Sequence, residues 1–457
     1  MDKHKDPPSL EDCLGAADET RALVLRKNAL EAVPPLLKAH YACDAVYLIA
    51  DTNTFKAAGE AVRDILTAGG ITLAGSCIFP PERLHADYAH VTELAGRIRA
   101  AAGGASLVPV SAGAGTINDL VKRAAGELAL PYLCVPTAAS VDGYTSSGAA
   151  LLKDGFKQTL PCAAPRALAA DTDILAGAPA YLSSSGFGDL AGKLIAGSDW
   201  RIAEIAGSLG APGTEPINGK AWAMTQTDLA GTLRRSAGAV RGDGDAVKTL
   251  FKALAVTGFA MQYLKSSRPV SGCEHLYSHI WEMENLEAGG IPVTHGHKVA
   301  MGTLAASAFT EILFSRREAP AGGFKRPGPG EREAEVRGAF RGIGEAAERA
   351  AVKTALEKLP DAASAAVLAG ALRDNWKRIR ERVLEQILPY GELRALLGKG
   401  GCPLKPEEIN LTRERIIAAS RRAQMIRNRY TVLDLAWDLG VFEEVLSRME
   451  ESAEYLR

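Results

Sequence analysis

A chain of 457 residues is too long for one simple core, so two domains are expected. An apolar share of 47% and a charged share of 23% are ordinary for a soluble globular protein. A formal net charge of -1 gives no global field for nucleic acid or an anionic membrane.

No continuous apolar run is long enough to span a bilayer, and the polar start, Met1 to Asp6, lacks the apolar stretch of a signal peptide. The seven cysteines are odd in number, scattered and without a CxxC pair. That argues against a disulfide framework or a thiolate zinc site and fits a reducing, cytoplasmic setting.

Residues 1–20 read as a polar lead-in. Leu23 to His40 reads as a helix interrupted at Pro34-Pro35. Strands then alternate with helices. The strands are Ala45–Ala50, Ile71–Cys77, Leu107–Val110 (with Pro109 as an objection) and Tyr132–Val135. The helices are Phe55–Ala68, His90–Ala102 and Ile117–Glu127. This alternation predicts a parallel sheet covered on both faces.

Beyond about residue 173 helical periodicity takes over, in runs over 189–206, 246–265, 333–349 and 411–425. The expected fold is an α/β nucleotide-binding domain over 1–173 and an all-α domain over 174–457. The Gly/Pro-rich stretch 319–332 reads as a flexible surface insertion.

Three features of the α/β half suit a dinucleotide. Asp51 ends the first strong strand, where an acid can accept hydrogen bonds from an adenosine ribose. It favours NAD(H) over NADP(H), because a 2′-phosphate would meet a negative charge. Next, Gly113-Ala114-Gly115-Thr116, followed by Asp119, leaves a strand and opens a helix, which lets backbone N–H groups approach a pyrophosphate. It is not the GxGxxG fingerprint, and the acid precedes the glycines instead of following them. Taken alone, each is an ordinary turn or helix cap. The third feature is the polar run 136–145 beyond the fourth strand. There Thr137, Ser140, Asp142 and Thr145 can contact ribose, nicotinamide or substrate, or simply form polar turns.

In the helical half, four of the eight histidines, His275, His279, His295 and His297, fall within 23 residues. His275 and His279 share a helical face. With Asp189, read as a residue at a helix start, His275 and His295 make a three-donor set for one divalent metal with a position left open. Zn²⁺ suits it best, with Ni²⁺, Fe²⁺ or Mn²⁺ as alternatives. His279 is then a further ligand, a proton relay or a support. His295 reads as a loop residue just before a helix, Lys298–Phe309.

The motifs GAGTIND (113–119), PTAASVDGYTSSGAALL (136–152), GFKQTLP (155–161), SGFGDLAGK (185–193), CEHLYSHIWEM (273–283) and THGHKVAMGTLA (294–305) occur in this order. Together they resemble the glycerol-1-phosphate dehydrogenases, within the superfamily of metal-dependent polyol dehydrogenases, iron-type alcohol dehydrogenases and 3-dehydroquinate synthases. RNRYTVLDLAWDLG (427–440) resembles the C-terminal segment of bacterial members.

The resemblance implies NAD(P)H-dependent interconversion of dihydroxyacetone phosphate and sn-glycerol 1-phosphate. It implies metal ligands at Asp189, His275 and His295, a pyrophosphate turn at Gly113–Thr116, and cleft positions at Thr137, Ser140 and Asp142. Iron-type alcohol dehydrogenases carry a histidine ligand one turn after the aspartate, where this chain has Lys193. A lysine there offers charge to a phosphate instead, which favours a small phosphorylated ketone or alcohol as substrate. Lys157 is the second candidate for that role.

No nucleic-acid partner is expected, and the expected assembly is a homo-oligomer. The competing readings are a dehydroquinate synthase-like lyase, a dehydrogenase of unphosphorylated polyols, and a nucleotide- and metal-binding protein without turnover.

Overall fold

The computed structural model describes residues 6–80, 84–153, 156–321 and 326–457, without the side chains of 156 and 157. The chain divides into two units: Met1–Leu190 with Ala223–Ser266, and Ala191–Trp222 with Ser267–Arg457.

The first unit is built on a six-stranded sheet whose strand order is β1-β8-β5-β4-β2-β3, with every pairing parallel. The strands are β1 (Ala22–Arg26), β2 (Ala45–Asp51), β3 (Thr72–Phe79), β4 (Leu107–Gly113), β5 (Leu133–Pro136) and β8 (Ala167–Asp171). An antiparallel hairpin, β6 (Ala149–Lys153) and β7 (Phe156–Leu160), lies outside the sheet. β4 is buried throughout and β2 up to its last residue, as a parallel sheet covered on both faces requires. Alternate residues Val46, Leu48, Val108, Val110, Leu133 and Val135 form one core with Val33, Leu37, Val62 and Leu66 from the helices.

The structure corrects the sequence reading at several places. The expected helix from Leu23 is instead strand β1, a left-handed turn at Asn28, and a helix Val33–His40. Pro34 and Pro35 sit in the first turn of that helix, where a missing N–H costs nothing. Strand β8 and the β6–β7 hairpin fall where no strand is expected from the sequence. Pro109 lies inside β4, below the point where pairing with β5 begins at Val110 and Leu133. A proline is tolerated there because that side of the ladder needs no donor from it.

Among its described residues the second unit is helical, apart from a short hairpin (Glu287–Ala288 with Ile291–Pro292). The run 333–349 is two helices, Pro329–Phe340 and Glu345–Glu357, separated by a turn with Gly342 and Gly344 at positive φ. Of the stretch 319–332, residues 322–325 lie outside the described residues. Its end is ordered: Pro329 opens a helix and Arg332 is buried. No helix among the described residues is long and apolar enough to cross a membrane.

Candidate nucleotide and metal sites

In the first unit the chain runs from β2 outward to β3 and then returns to place β4 on the other side of β2. The crevice at the carboxyl ends of β2 and β4 is therefore the topological switch point, where open α/β sheets bind ligands. Ile49 pairs with Ser111, so Asp51 and Gly113, each two residues on, stand at one level. The run 136–145 leaves β5, the next neighbour of β4. All three sequence features thus meet at the ends of adjacent strands. The acid precedes the glycines because it sits on β2 and they sit on β4.

Gly113 has no room for a side chain: a Cβ would stand 2.4 Å from Cβ of Ile117. The helix Gly115–Glu127 starts after Ala114 with no side-chain cap, leaving its first N–H groups for an anion. A Cβ on Gly115 would meet Val141 at 3.3 Å, so the glycine turn and the 136–145 run lie side by side. The N–H of Thr137 donates to the carbonyl of Gly113 at 3.1 Å. Thr116 and Asp119 are half-buried in the first turns of the helix. Asp51 caps the short helix Thr52–Thr54 through one oxygen, which accepts from the N–H groups of Asn53 and Thr54.

The hydroxyls of the run are placed differently from one another. Ser140 is buried against Tyr144, 3.2 Å between their oxygens. Thr145 has no exposed surface and donates to the carbonyl of Ala255 at 2.8 Å. This holds the run in place. Lys122, also buried, donates to the carbonyls of Gly143, Ser146 and Gly148 at 2.6, 2.8 and 3.1 Å. The helix that opens at the glycine turn therefore clamps the polar run. Sequence reading missed Lys122.

Asp189 is not at a helix start. It lies inside the helix Ala180–Ser208, and Gly186 and Gly188 are interior residues of it. Gly186 serves close approach: a Cβ there would stand 1.9 Å from the carbonyl oxygen of Ala139. We expect Gly186→Ala to force the helix off the 136–145 run and to destabilise by about 3 kcal/mol or more. A thermal midpoint within a degree of wild type would contradict this packing. Asp189 is fully buried and accepts the N–H of Asp142 at 2.9 Å.

In the second unit, the helix Cys273–Met283 carries His275 and His279 on one face. His295 is the first residue of the helix His295–Phe314, capped by Thr294, and not a loop residue as the sequence suggested. The rings of His275 and His295 lie 5.4 Å apart. Each has its own buried carboxylate. Nδ1 of His275 is 2.7 Å from Oε1 of Glu274, and Nδ1 of His295 is 2.8 Å from Oε1 of Glu282. A carboxylate only accepts, so Nδ1 carries the proton and Nε2 presents its lone pair. Burial pulls His279 down to about 4, with the Glu282 carboxylate pulling the other way. Burial likewise pulls His297 down to about 4.

A second donor group, Asp199, Cys273 and Glu274, is buried deeper. Its carboxylates are already engaged: Asp199 accepts the N–H groups of Cys273 and Val432 at 2.7 and 2.8 Å, and Glu274 accepts that of Gly272 at 2.8 Å and the Nδ1 proton of His275. Burial, with Asp199 and Glu274 nearby, pushes the Cys273 thiol well up. Burial and the Glu274 charge push Asp199 up to about 7.

On the Ala180–Ser208 helix, Gly192 faces the same two helices: a Cβ there would meet Val299 at 2.7 Å and Glu274 at 3.1 Å. Lys193 is fully buried one turn after Asp189. Lys157 lies on β7, and its side chain is outside the described residues.

Residues 24–179 match a family model described as iron-containing alcohol dehydrogenase. The glycerol-1-phosphate dehydrogenase, NAD(P)+, of Bacillus velezensis is 38% identical over 253 residues. That match covers 55% of this chain and 62% of the relative, so the chain spans less than two thirds of that protein. The like-named proteins of Halalkalibacterium halodurans and Bacillus subtilis are 34% and 33% identical. These matches cover 64% and 65% of this chain and 70% and 72% of those relatives. Among solved structures, glycerol dehydrogenase from Schizosaccharomyces pombe aligns with a TM-score of 0.56 at 17% identity, covering 94% of this chain and 90% of that one. An alcohol dehydrogenase from Oenococcus oeni aligns at 0.57 and 13%, covering 93% and 98%. At these identities the structural likeness speaks for the fold alone.

Proposed function

The chain belongs to the glycerol-1-phosphate dehydrogenase family, and from that premise we propose that it reduces dihydroxyacetone phosphate to sn-glycerol 1-phosphate with NAD(P)H, and the reverse. The observation that carries the metal part is the donor set. Asp189 offers a buried carboxylate, and His275 and His295, their rings 5.4 Å apart, each offer one ring nitrogen. One carboxylate and two imidazoles with Nε2 available suit Zn²⁺, and also Ni²⁺ or Fe²⁺.

A divalent metal held there supplies Lewis-acid polarisation of a carbonyl, and the dinucleotide supplies the hydride. The chain's own residues do the rest. The open N-terminus at Gly113–Thr116 holds the pyrophosphate. The free oxygen of the Asp51 cap faces the ribose, and NAD(H) is favoured over NADP(H) on that account. The 136–145 run lines the cleft with Thr137, Ser140 and Asp142, while Thr145 and Lys122 hold that run in shape. His279, neutral at pH 7, is placed to pass a proton.

Lys193 holds the substrate phosphate, in preference to Lys157, because it stands one helical turn from Asp189. Lys193→Met should then raise KM for dihydroxyacetone phosphate about 10-fold or more and leave the dissociation constant of NADH unchanged. An unchanged KM would remove Lys193 from the phosphate site and pass the role to Lys157. The setting proposed is cytoplasmic and the assembly a homo-oligomer. Size-exclusion with light scattering tests the assembly.

A further inference from the structure

The metal reading uses Asp189, His275 and His295, and leaves Glu282 without a role. Its side chain is only 4% exposed, and a carboxylate that deep in a protein needs partners. Its partners include His295, Lys298 and His279. Oε1 takes the Nδ1 proton of His295 at 2.8 Å and lies 3.5 Å from Nζ of Lys298. Oε2 takes the Nδ1 proton of His279 at 3.2 Å. Positions 275, 279 and 282 follow the i, i+4, i+7 rhythm, so one face of the helix Cys273–Met283 carries two histidines and this acid.

We propose that Glu282 is a positioning residue that fixes the ring orientation and tautomer of His295, and that it joins His295 to His279 through its two oxygens. The proposal rests on His295 being a metal ligand. With its Nδ1 proton engaged, His295 can offer only Nε2, and the ring cannot flip without breaking a buried charge-assisted bond. The same carboxylate makes His279 report the state of His295, because both rings share one acceptor. Lys298, whose side chain is 8% exposed, and the Arg427 guanidinium supply positive charge that offsets the burial of Glu282. Glu274 does for His275 what Glu282 does for His295, but it serves one ring only.

The test compares wild type, Glu282→Gln, His279→Ala and His295→Ala, each loaded with Zn²⁺. Metal affinity is read by competition with a chelator and metal content by mass spectrometry. The amide of Gln keeps the shape but only one accepting oxygen, so it cannot serve both rings. Glu282→Gln is expected to bind Zn²⁺ about 10–100-fold more weakly, while NADH affinity holds. The visible spectrum of its Co²⁺-substituted form should shift, since that spectrum follows ligand geometry and not mere stability. His279→Ala, which removes the other partner, should keep Zn²⁺ affinity within about threefold.

Should Glu282→Gln fail to fold, Glu282→Asp must weaken Zn²⁺ in the same direction, because it withdraws the charge by one methylene. Wild-type affinity and an unchanged Co²⁺ spectrum in Glu282→Gln would overturn the proposal while His295→Ala still lost the metal. Wild-type affinity in His295→Ala would instead overturn the ligand assignment on which it stands.

Discussion

His275→Ala protein should emerge without its divalent metal and with turnover lowered by about 10³-fold or more, while NADH still binds. The reasoning runs from the fold. His275 stands on a buried helix face, its Nδ1 proton held by Glu274, and its ring is 5.4 Å from that of His295. Removing it leaves one imidazole and one carboxylate, too few to hold a labile divalent ion against buffer. The glycine turn proposed to hold the pyrophosphate belongs to the first unit, and His275 to the second. Metal content and NADH fluorescence, measured on the same preparation, decide the matter. Retained metal with lost turnover would mean that His275 acts other than as a ligand.

The second large effect is expected at Lys122. Its Nζ donates to three carbonyls of the run between β5 and β6, from a position with 1% exposure. Lys122→Met removes this donor from all three carbonyls: that of Gly143 keeps the Ser146 hydroxyl at 3.2 Å, while those of the buried residues Ser146 and Gly148 lose the lysine. An unsatisfied buried carbonyl costs about 1–3 kcal/mol, so a loss of about 3–5 kcal/mol is expected after partial relaxation. The same run holds Ser140 and Asp142 beside the glycine turn. NADH should therefore bind about tenfold more weakly or worse, an effect of roughly 1.4 kcal/mol or more. A first unfolding transition at the wild-type midpoint, with wild-type NADH affinity, would show that the run keeps its shape without the clamp.

Much of the first unit was legible because its central strands are uninterrupted apolar runs. Val46 to Ala50 and Leu107 to Val110 can only be buried, and a parallel sheet buries such runs on both faces. The strands that escaped have weaker patterns. β8 is Ala-Leu-Ala-Ala-Asp, and alanine by itself prefers helix. Only its place between β5 and β1 makes it a strand. β1 is a short apolar run just before Pro34-Pro35, and the break between them is set by Asn28 in the left-handed region.

The site was legible in its ligating residue types and obscure in its supports. Asp189, His275 and His295 stand out by chemistry. Gly186 and Gly188 suggested a helix start, because sequence does not distinguish a glycine that ends a helix from one that lets a neighbouring backbone approach. Glu274 and Glu282 carried no signal of their own. Glu282 follows His279 at i+3, a spacing shared by countless surface pairs, and only burial marks it as functional. Asp51, the glycine turn and the 136–145 run looked out of order until the sheet placed β2, β4 and β5 side by side.

The central claim is metal-assisted reduction of a phosphorylated ketone. Its most direct measurement is the oxidation of NADH by Zn²⁺-loaded protein in the presence of dihydroxyacetone phosphate, with the configuration of the product determined. The account predicts oxidation that stops on chelation, resumes with metal and yields the sn-1 isomer. Absence of net NADH oxidation with Zn²⁺, Ni²⁺ or Fe²⁺, and with NADPH in its place, would contradict it and turn attention to a synthase-like reaction that returns the cofactor unchanged.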